Sequence, residues 1–534
     1  MTEPEASAEP APLNPYDEVP YRGQTVPLAH PERLAIEALR RGIAAAPPGR
    51  ARILELGCAE GGNVIPIAFH LDGAEVVGVD GSAVQIAAAA EVRDRLGLDN
   101  LTLRHADFLG LGEELGTFDY ILCHGVYSWV AEPVRDKIMA IAQRHLRPNG
   151  VLYLSYNCRP GWAFRSLMRR ALTERVRGAA DAAERIARVR QVIAWMAESP
   201  LRESPWGRLL AEEAAALWSH RDEYLVHEYL SAVNRPFHFR EIADAADRHE
   251  LSFLAELARA TTDPRLEDAL RQSFSGPLDD WVEIEELSEL FLFRAFRCTL
   301  FTKRSAERGA PHPDLAAAVR FAGRIEPESR RVSLEAGVHE FFTVGGVRIS
   351  AEDPILKGAL LEIGRWWPRG LTFAELAERV AALLEVRRVH PPGEAPEAAR
   401  YEALRTDLYE LGRLGYVTLR LDDPPVAREP GEAPRVSPLT RLQAERGHFA
   451  TSPHHRVAPL DAFTRHLVRH LDGARERDEL AKRMRAHAEA GEVSLTLEDG
   501  TPLGPAELDE AIPKLVEASL GALASEGLLV DVAR

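Results

Sequence analysis

Between Ala51 and Asn157 short apolar runs alternate with amphipathic stretches. "ARILELG", "EVVGVD", "LTLRHAD", "FDYILCHG" and "GVLYLSYN" have the length and the β-branched or aromatic content of strands. Between them "GNVIPIAFHL", "SAVQIAAAAEVRDRLG" and "EPVRDKIMAIAQRHL" carry helical periodicity. This alternation predicts parallel βαβ units in an α/β, Rossmann-like, doubly wound sheet, which binds ligands at the carboxyl ends of its strands. A helix is expected from Pro31 to about Ala46. From about Gly161 the pattern turns helical, first in "RSLMRRALTERVRGAADAAERIARVRQVIAWMAES", then through "AEEAAALWSHRDEYLVHEYL" and "REIADAADRHELSFLAEL". Beyond it "HEFFTVGGVRIS" predicts a hairpin turning at Gly345–Gly346. "PRGLTFAELAERVAALL", the insert "HPPGEAPEAA", a helix and "GYVTLRL" then resemble a winged helix. After the linker "DDPPVAREPGEAPRVS" the last hundred or so residues repeat the theme, as a weak internal duplication would. The expected domains are 1–30 (tail and lid), 31–165 (ligand-binding sheet), 166–310 (helical), 311–430 (winged-helix-like) and 431–534 (helical, winged-helix-like), with residues 1–15 disordered.

The chemistry gathers after the first strand, where Glu55, Gly57, Ala59 and Gly61 make E-x-G-x-A-x-G. A dinucleotide loop has G-x-G-x-x-G; here Ala59 takes the middle glycine's place and no glycine has the third spacing. No G-K-[ST] follows, which excludes a P-loop. Glu55 is an acid that a pyrophosphate site avoids and a cationic sulfonium ligand welcomes. Asp80, ending the second strand, suits two ribose hydroxyls, a geometry NAD enzymes share. Asp107 and Phe108 end the third strand, where a carboxylate accepts an adenine amino group and a ring packs on the base. The set points to a class I S-adenosylmethionine methyltransferase; the bland alternative is a Rossmann-like fold holding another nucleotide.

After the fourth strand "CHGVYSWV" is not the D/N-P-P-Y/F/W signature of enzymes that methylate base amino groups. It supplies Tyr127 and Trp129; "SYNCRPGW" adds Tyr156, Asn157 and Trp162, and the N-terminal stretch adds Tyr16, Tyr21 and His30. Aromatic faces suit an amine held near a sulfonium. Tyr127, Tyr156 and His30 are the candidates for the reaction site, and Tyr21, Trp129, Asn157 and Trp162 for substrate contact.

A net charge of −17 argues against nucleic acid as the partner. Cys58, Cys123, Cys158 and Cys298 form no CxxC pair, so neither zinc nor a disulfide framework is expected, and a cytoplasmic, reducing location fits. No run is apolar enough to span a membrane. His220, His227 and Glu228, and the pair His454–His455, read as solvated or core residues rather than metal ligands.

"YDEVPY", His30–Pro31, "ILELGCAEGGNVIPIA", "HGVYSWV", "RPNGVLYLSYN" and "PGW" resemble the bacterial protein lysine methyltransferases that carry a methyltransferase regulatory domain, of which members methylate rickettsial outer-membrane-protein lysines. "YLVHEYLSAVNRPFHFREIADAADRHELSFLAE" resembles that regulatory domain, and "FLFRAFRCTLFTKR" its closing helix. The resemblance implies a loop shaped by Glu55, Gly57, Cys58, Ala59, Gly61 and Asn63, with Asp80 and Gln85 at the ribose, Asp107 and Phe108 at adenine, and His124 facing the methionine end or the acceptor. It implies a protein or peptide substrate, S-adenosylmethionine as cofactor, no metal, and is compatible with a homodimer. A small-molecule or modified-peptide tailoring enzyme, and a non-catalytic cofactor-binding adaptor, are the rival readings.

Overall fold

The computed structural model describes residues 23–198, 203–257, 281–312, 315, 318–389, 397–496 and 501–531. The expected disordered tail, Tyr16, Tyr21 and most of the "HPPGEAPEAA" insert lie outside them. Seven strands form the main sheet: β1 (Arg52–Leu56), β2 (Glu75–Asp80), β3 (Leu101–His105), β4 (Phe118–Cys123), β5 (Leu146–Asn157), β6 (Leu251–Glu256) and β7 (Phe296–Lys303). Their order is β3-β2-β1-β4-β5-β7-β6. The first five are parallel, and β7 is antiparallel to both β5 and β6.

Alternation along each strand builds two cores. Ile53, Val76, Tyr120, Leu122, Val151 and Tyr153 face one side, with Val64, Ile65 and Ala68 of the helix after β1. Leu54, Leu56, Val77, Val79, Ile121 and Leu152 face the other, with Ile138, Met139 and Ala142 of the helix Glu132–His145. Burial on both faces is why these strands read as continuous apolar runs. β1 and β4 are neighbours although the chain visits two strands between them, so the strand order reverses there and a crevice opens at their carboxyl ends.

The structure corrects the helical reading of residues 166–310, because β6 and β7 come from that segment. The helix Phe239–Arg248 is followed by a turn at Glu250, whose φ is +55°, and "LSFLAE" is strand. "FLFRAFRCTLFTKR" is not one closing helix: Trp281–Leu292 is helical and Phe296–Lys303 is β7. β7 is buried from Arg297 to Thr302, so no alternation marks it as a strand. Arg297 is fully buried and answers three carboxylates, Glu256 at 2.8 Å, Glu289 at 2.7 Å and Glu285 at 2.5 Å. The long helix expected after Gly161 is broken into Arg159–Arg175 and Ala182–Ala197. Gly178 turns the chain at φ +72°, and the Asp181 carboxylate caps the second piece by accepting from Glu184 N–H at 2.8 Å.

The N-terminal helix spans Pro31–Arg40 and stops before the expected Ala46. Its Leu34 and Ala38 pack on the sheet, while Ile36 and Leu39 pack into the next unit, so one helix serves two cores. That unit has the expected hairpin, Glu340–Val344 and Val347–Ala351, with Gly345 and Gly346 both at positive φ. It also has the helices Pro354–Trp366 and Phe373–Val386 and the strand Thr418–Arg420. The last unit carries a short hairpin (Phe449–Thr451, Val457–Pro459), the helices Ala462–Val468, Arg477–Glu489 and Pro505–Ser525, and its own buried cluster. Among the described residues no helix is long and apolar enough to cross a membrane.

Candidate active site

The chain leaves β1 through a loop that only small residues permit. Gly57 has φ +83°, and a Cβ there would lie 2.3 Å from Val126 Cγ2; Gly61 has φ +84°, and its Cβ would lie 2.4 Å from Ile65 Cδ1. Ala59 is also left-handed, at φ +48°, and donates its N–H to Asp80 Oδ2 at 2.9 Å. Asp80 Oδ1 accepts from Ser82 N–H at 2.8 Å, so this carboxylate ties the loop to the end of β2. Cys58 is buried, and burial pushes its thiol pKa up.

Glu55 is buried at the end of β1. Its Oε1 accepts from Asn63 Nδ2 at 2.9 Å, while Oε2 is buried with no partner among the described residues. Burial raises its pKa to about 7. Asn63 is a hub: its Oδ1 accepts from Val26 N–H at 2.9 Å and from His455 Nε2 at 2.7 Å. The segment around Gly23 crosses the loop so closely that a Cβ on Gly62 would lie 2.1 Å from Gly23 C. Glu60 Oε1 accepts from Gly23 N–H at 3.1 Å.

Carboxylates at Glu55, Glu60 and Asp80, an orphaned acceptor on Glu55 and a glycine cradle fit a cationic nucleoside and oppose a pyrophosphate. Glu55, the loop from Gly57 to Gly61, and Asp80 would hold S-adenosylmethionine, with Asp107 exposed at the end of β3. Asp107 Oδ1 accepts from Leu109 N–H at 3.0 Å. Phe108 departs from expectation: its ring is buried with Leu111, Phe118 and Ile138, because the 3-10 turn it opens folds it into the sheet's core. Gln85 lies in the first turn of the helix Ala83–Leu96, with a buried Oε1 that has no partner among the described residues.

His124 ends β4. Its Nδ1 is 2.9 Å from the Tyr153 hydroxyl, which donates to Cys298 Sγ at 3.1 Å. Burial lowers the His124 pKa to about 4, which keeps it neutral.

The acceptor-side candidates separate. Trp129 is half-buried in the turn after β4, and Tyr127 packs on Phe237 at 5.4 Å, with burial pushing its phenol up to about 12. Tyr156 does not reach an open surface: it is fully buried, its hydroxyl 3.0 Å from Thr299 Oγ1. Its strand neighbour Asn157 points to the other face. Trp162 is buried against Tyr229 at 5.7 Å in the core of the helical unit, so it holds that unit together rather than lining a channel. His30 is buried 4.8 Å from the His455 ring, and burial pushes its pKa to about 3, so it takes no proton at neutral pH.

Sequence reasoning passed over the residues that join the units. His455, read only as a solvated or core histidine, reaches Asn63 from the last unit. Arg420 Nε meets Glu32 Oε2 at 2.8 Å, and Arg420 Nη1 lies 3.2 Å from His454 Nδ1. The Asn157 side-chain amide donates to Asn234 Oδ1 at 3.0 Å, and Asn234 Nδ2 donates to the Glu228 carbonyl at 2.8 Å. Nothing in their local sequence distinguishes these from ordinary core or surface groups; the pairings are long-range. Among the described residues His466, His487 and Glu492 form the one group with metal-ligand proximity. His487 Nδ1 is already bonded to Glu492 at 2.6 Å, and Arg465 and Arg469 stand nearby, so the cluster is an internally paired charge network.

A doubly wound sheet of this order, with an acidic glycine loop at its switch point, defines a class I methyltransferase. Comparison with known proteins agrees. A methyltransferase-domain family profile matches residues 49–210, a predicted methyltransferase regulatory domain matches 221–303, and the PKMT C-terminal winged helix domain matches 432–528. An uncharacterized Rickettsia prowazekii protein is 28% identical over 97% of this chain and 94% of its own length. A second from that organism is 31% identical over 45% of this chain and 96% of its own length. The structure of PKMT2 from Rickettsia typhi, in complex with AdoHcy, superposes with a TM-score of 0.82 at 23% identity, covering 96% of this chain and 100% of that one. The chain belongs to the S-adenosylmethionine-dependent methyltransferases that join this catalytic domain to the regulatory domain and the PKMT-type winged helix.

Proposed function

We propose that the enzyme methylates a lysine amine of a protein or peptide by in-line transfer. The observation that carries this reading is the acceptor side, which is open among the described residues. Gly125, just past the end of β4, is exposed, and among the described residues no atom beyond its chain neighbours lies within 4 Å of where its Cβ would stand. Trp129, in the turn that follows, is half-exposed. An extended peptide needs such an open face, whereas a small molecule is normally enclosed over most of its surface. The PKMT-type domain set supports the same reading.

When bound, S-adenosylmethionine supplies a methyl group activated by a sulfonium. The chain supplies position. The glycine loop and Glu55 would orient the donor, His124 would border the acceptor side, and the turn at Tyr127–Trp129 would border the amine. A lysine ammonium has a pKa of about 10.4 and must lose a proton before its nitrogen attacks.

The test is incubation of purified enzyme with tritium-labelled S-adenosylmethionine and a host-cell protein extract, then size separation and acid hydrolysis. Macromolecular label released as methyl-lysine is the expected result. Label confined to small molecules overturns the reading in favour of a tailoring enzyme. Cofactor binding with no transferred label in any fraction favours the adaptor.

A further inference from the structure

The seam between the catalytic sheet and the last unit holds a cavity of about 290 Å³. On one side stand Phe69 and His70, at the end of the helix Val64–His70. On the other stand Arg435, Ser437 and Arg441 of the last unit. Neither Glu55, the loop from Gly57 to Gly61 nor Asp80 lines it, so it is separate from the donor cradle. A void of this size holds far more than one water molecule and lies at the lower edge of the roughly 300–1,000 Å³ of small-molecule sites.

The charge of the cavity is unbalanced. Among the described residues neither the Arg435 nor the Arg441 guanidinium makes a hydrogen bond or an ion pair, and Arg441 Nε is buried without a partner. Asp472 also lines the cavity, but its carboxylate is already held by the Arg475 side chain and accepts from Ala474 N–H at 3.0 Å. Arg435 has a fixed seat. A Cβ on Gly473, at φ +78°, would lie 2.2 Å from Arg435 Nε, so the guanidinium lies against backbone that only glycine leaves clear. Arg441 stands one turn into the helix Pro438–Arg446, whose N-terminus opens on the cavity at Ser437 and Pro438. That end contributes its dipole more than its donors, since Pro438 has no N–H and Thr440 N–H is taken by Ser437 Oγ at 3.0 Å. Two guanidiniums facing one cavity with no answering acid repel each other, and a bound anion turns that repulsion into attraction.

We propose that this cavity binds a small phosphate ester, its phosphate gripped by Arg435 and Arg441 and its compact organic body packed on Phe69 and the three prolines of the lining. A carboxylate carries one charge and two oxygens, which a single guanidinium fork satisfies. A phosphate monoester presents three terminal oxygens and about −1.5 to −2 charge, enough for two arginines at once. The apolar walls favour an ester over inorganic phosphate, which leaves them uncovered. S-adenosylmethionine carries no phosphate, so this is not a second donor site. The proposal stands apart from the identity of the methyl acceptor.

The experiment is calorimetric titration of the full chain with phenyl phosphate, inorganic phosphate and benzoate, with AdoHcy saturating so that the donor cradle is filled. Wild type is expected to bind one phenyl phosphate, and to bind inorganic phosphate and benzoate more weakly. Arg435→Gln and Arg441→Gln should each weaken phenyl phosphate by roughly 10- to 150-fold, the loss of a charged hydrogen bond. Both replace half-buried side chains, so folded protein is expected, and ligand-free melting temperatures check it. Gly473→Ala keeps every charge yet should also weaken binding, because its Cβ pushes Arg435 aside. Arg330→Gln, at an exposed arginine outside the cavity, should leave the affinity unchanged. No binding at millimolar phenyl phosphate, equal affinities for wild type and both Gln variants, or benzoate binding as tightly as phenyl phosphate would each overturn the assignment.

Discussion

Asn63 and His455 are separated by most of the chain and share one buried hydrogen bond of 2.7 Å under the donor loop. Asn63 Nδ2 is committed to Glu55, so its oxygen accepts and His455 Nε2 must carry hydrogen. Burial holds the His455 pKa well below its usual value, so the ring is neutral. His455→Leu removes the donor at similar volume and leaves the Asn63 oxygen with Val26 alone. Losing one such bond costs about 0.5–1.5 kcal/mol. Transmitted to the loop, that weakens AdoHcy binding by roughly 2- to 12-fold. Asn63→Ala costs more, because it also strips Glu55 of its one side-chain donor among the described residues. The assay is a double-mutant cycle on AdoHcy affinity by calorimetry. If the C-terminal unit acts on the cofactor through this contact, the two substitutions couple by about 0.5–1.5 kcal/mol. Additivity within about 0.3 kcal/mol, with His455→Leu lowering only the melting temperature, would refute the reasoning and leave the contact as interdomain packing.

Glu55, with its pKa raised to about 7, is charged only above that value. AdoHcy, whose amino group is cationic, should therefore bind progressively more weakly as pH falls below 7, by up to about tenfold per unit, and Glu55→Gln should flatten the profile; a wild-type affinity constant from pH 6 to 8 would count against Glu55 as the contact. Arg297→Met leaves Glu256, Glu285 and Glu289 without their shared cation in the interior. It should cost about 3–5 kcal/mol in chemical denaturation, whereas a cost below about 1 kcal/mol would mean that those acids are neutralised by protonation.

The sheet and the glycine loop after β1 were legible because both depend on local signals. Apolar runs of strand length, glycines at Gly57 and Gly61, and acids at strand ends are short-range facts about the chain. Phe108 was misplaced because an aromatic after an acid looks the same whether it packs on a base or turns into the core. Tyr156 and Trp162 failed for a related reason: one step along a strand or a quarter-turn of helix decides which side a ring takes, and only the neighbours set that. β6 and β7 were hidden because burial on both faces erases the alternation that announces a strand, and buried Arg297 looks polar in the sequence. His455 acquires meaning only from its partner on another unit, Asn63.

The helices following β5 are joined to the framework at a narrow neck. Phe237 N–H donates to Asn157 O at 2.9 Å, Arg159 N–H donates to Phe237 O at 2.8 Å, and Cys158 pairs with Phe237 between them. Residues 159–236 therefore leave and re-enter the catalytic body at almost one point, as an insertion does. Changes of length or shape inside a closed neck leave the strand register untouched, since the cost of a longer excursion grows only slowly with its length. The enzyme thus has the build of a tool with a fixed handle: a sheet that carries the methyl-donor loop, and a helical head whose size and outline can vary without disturbing it.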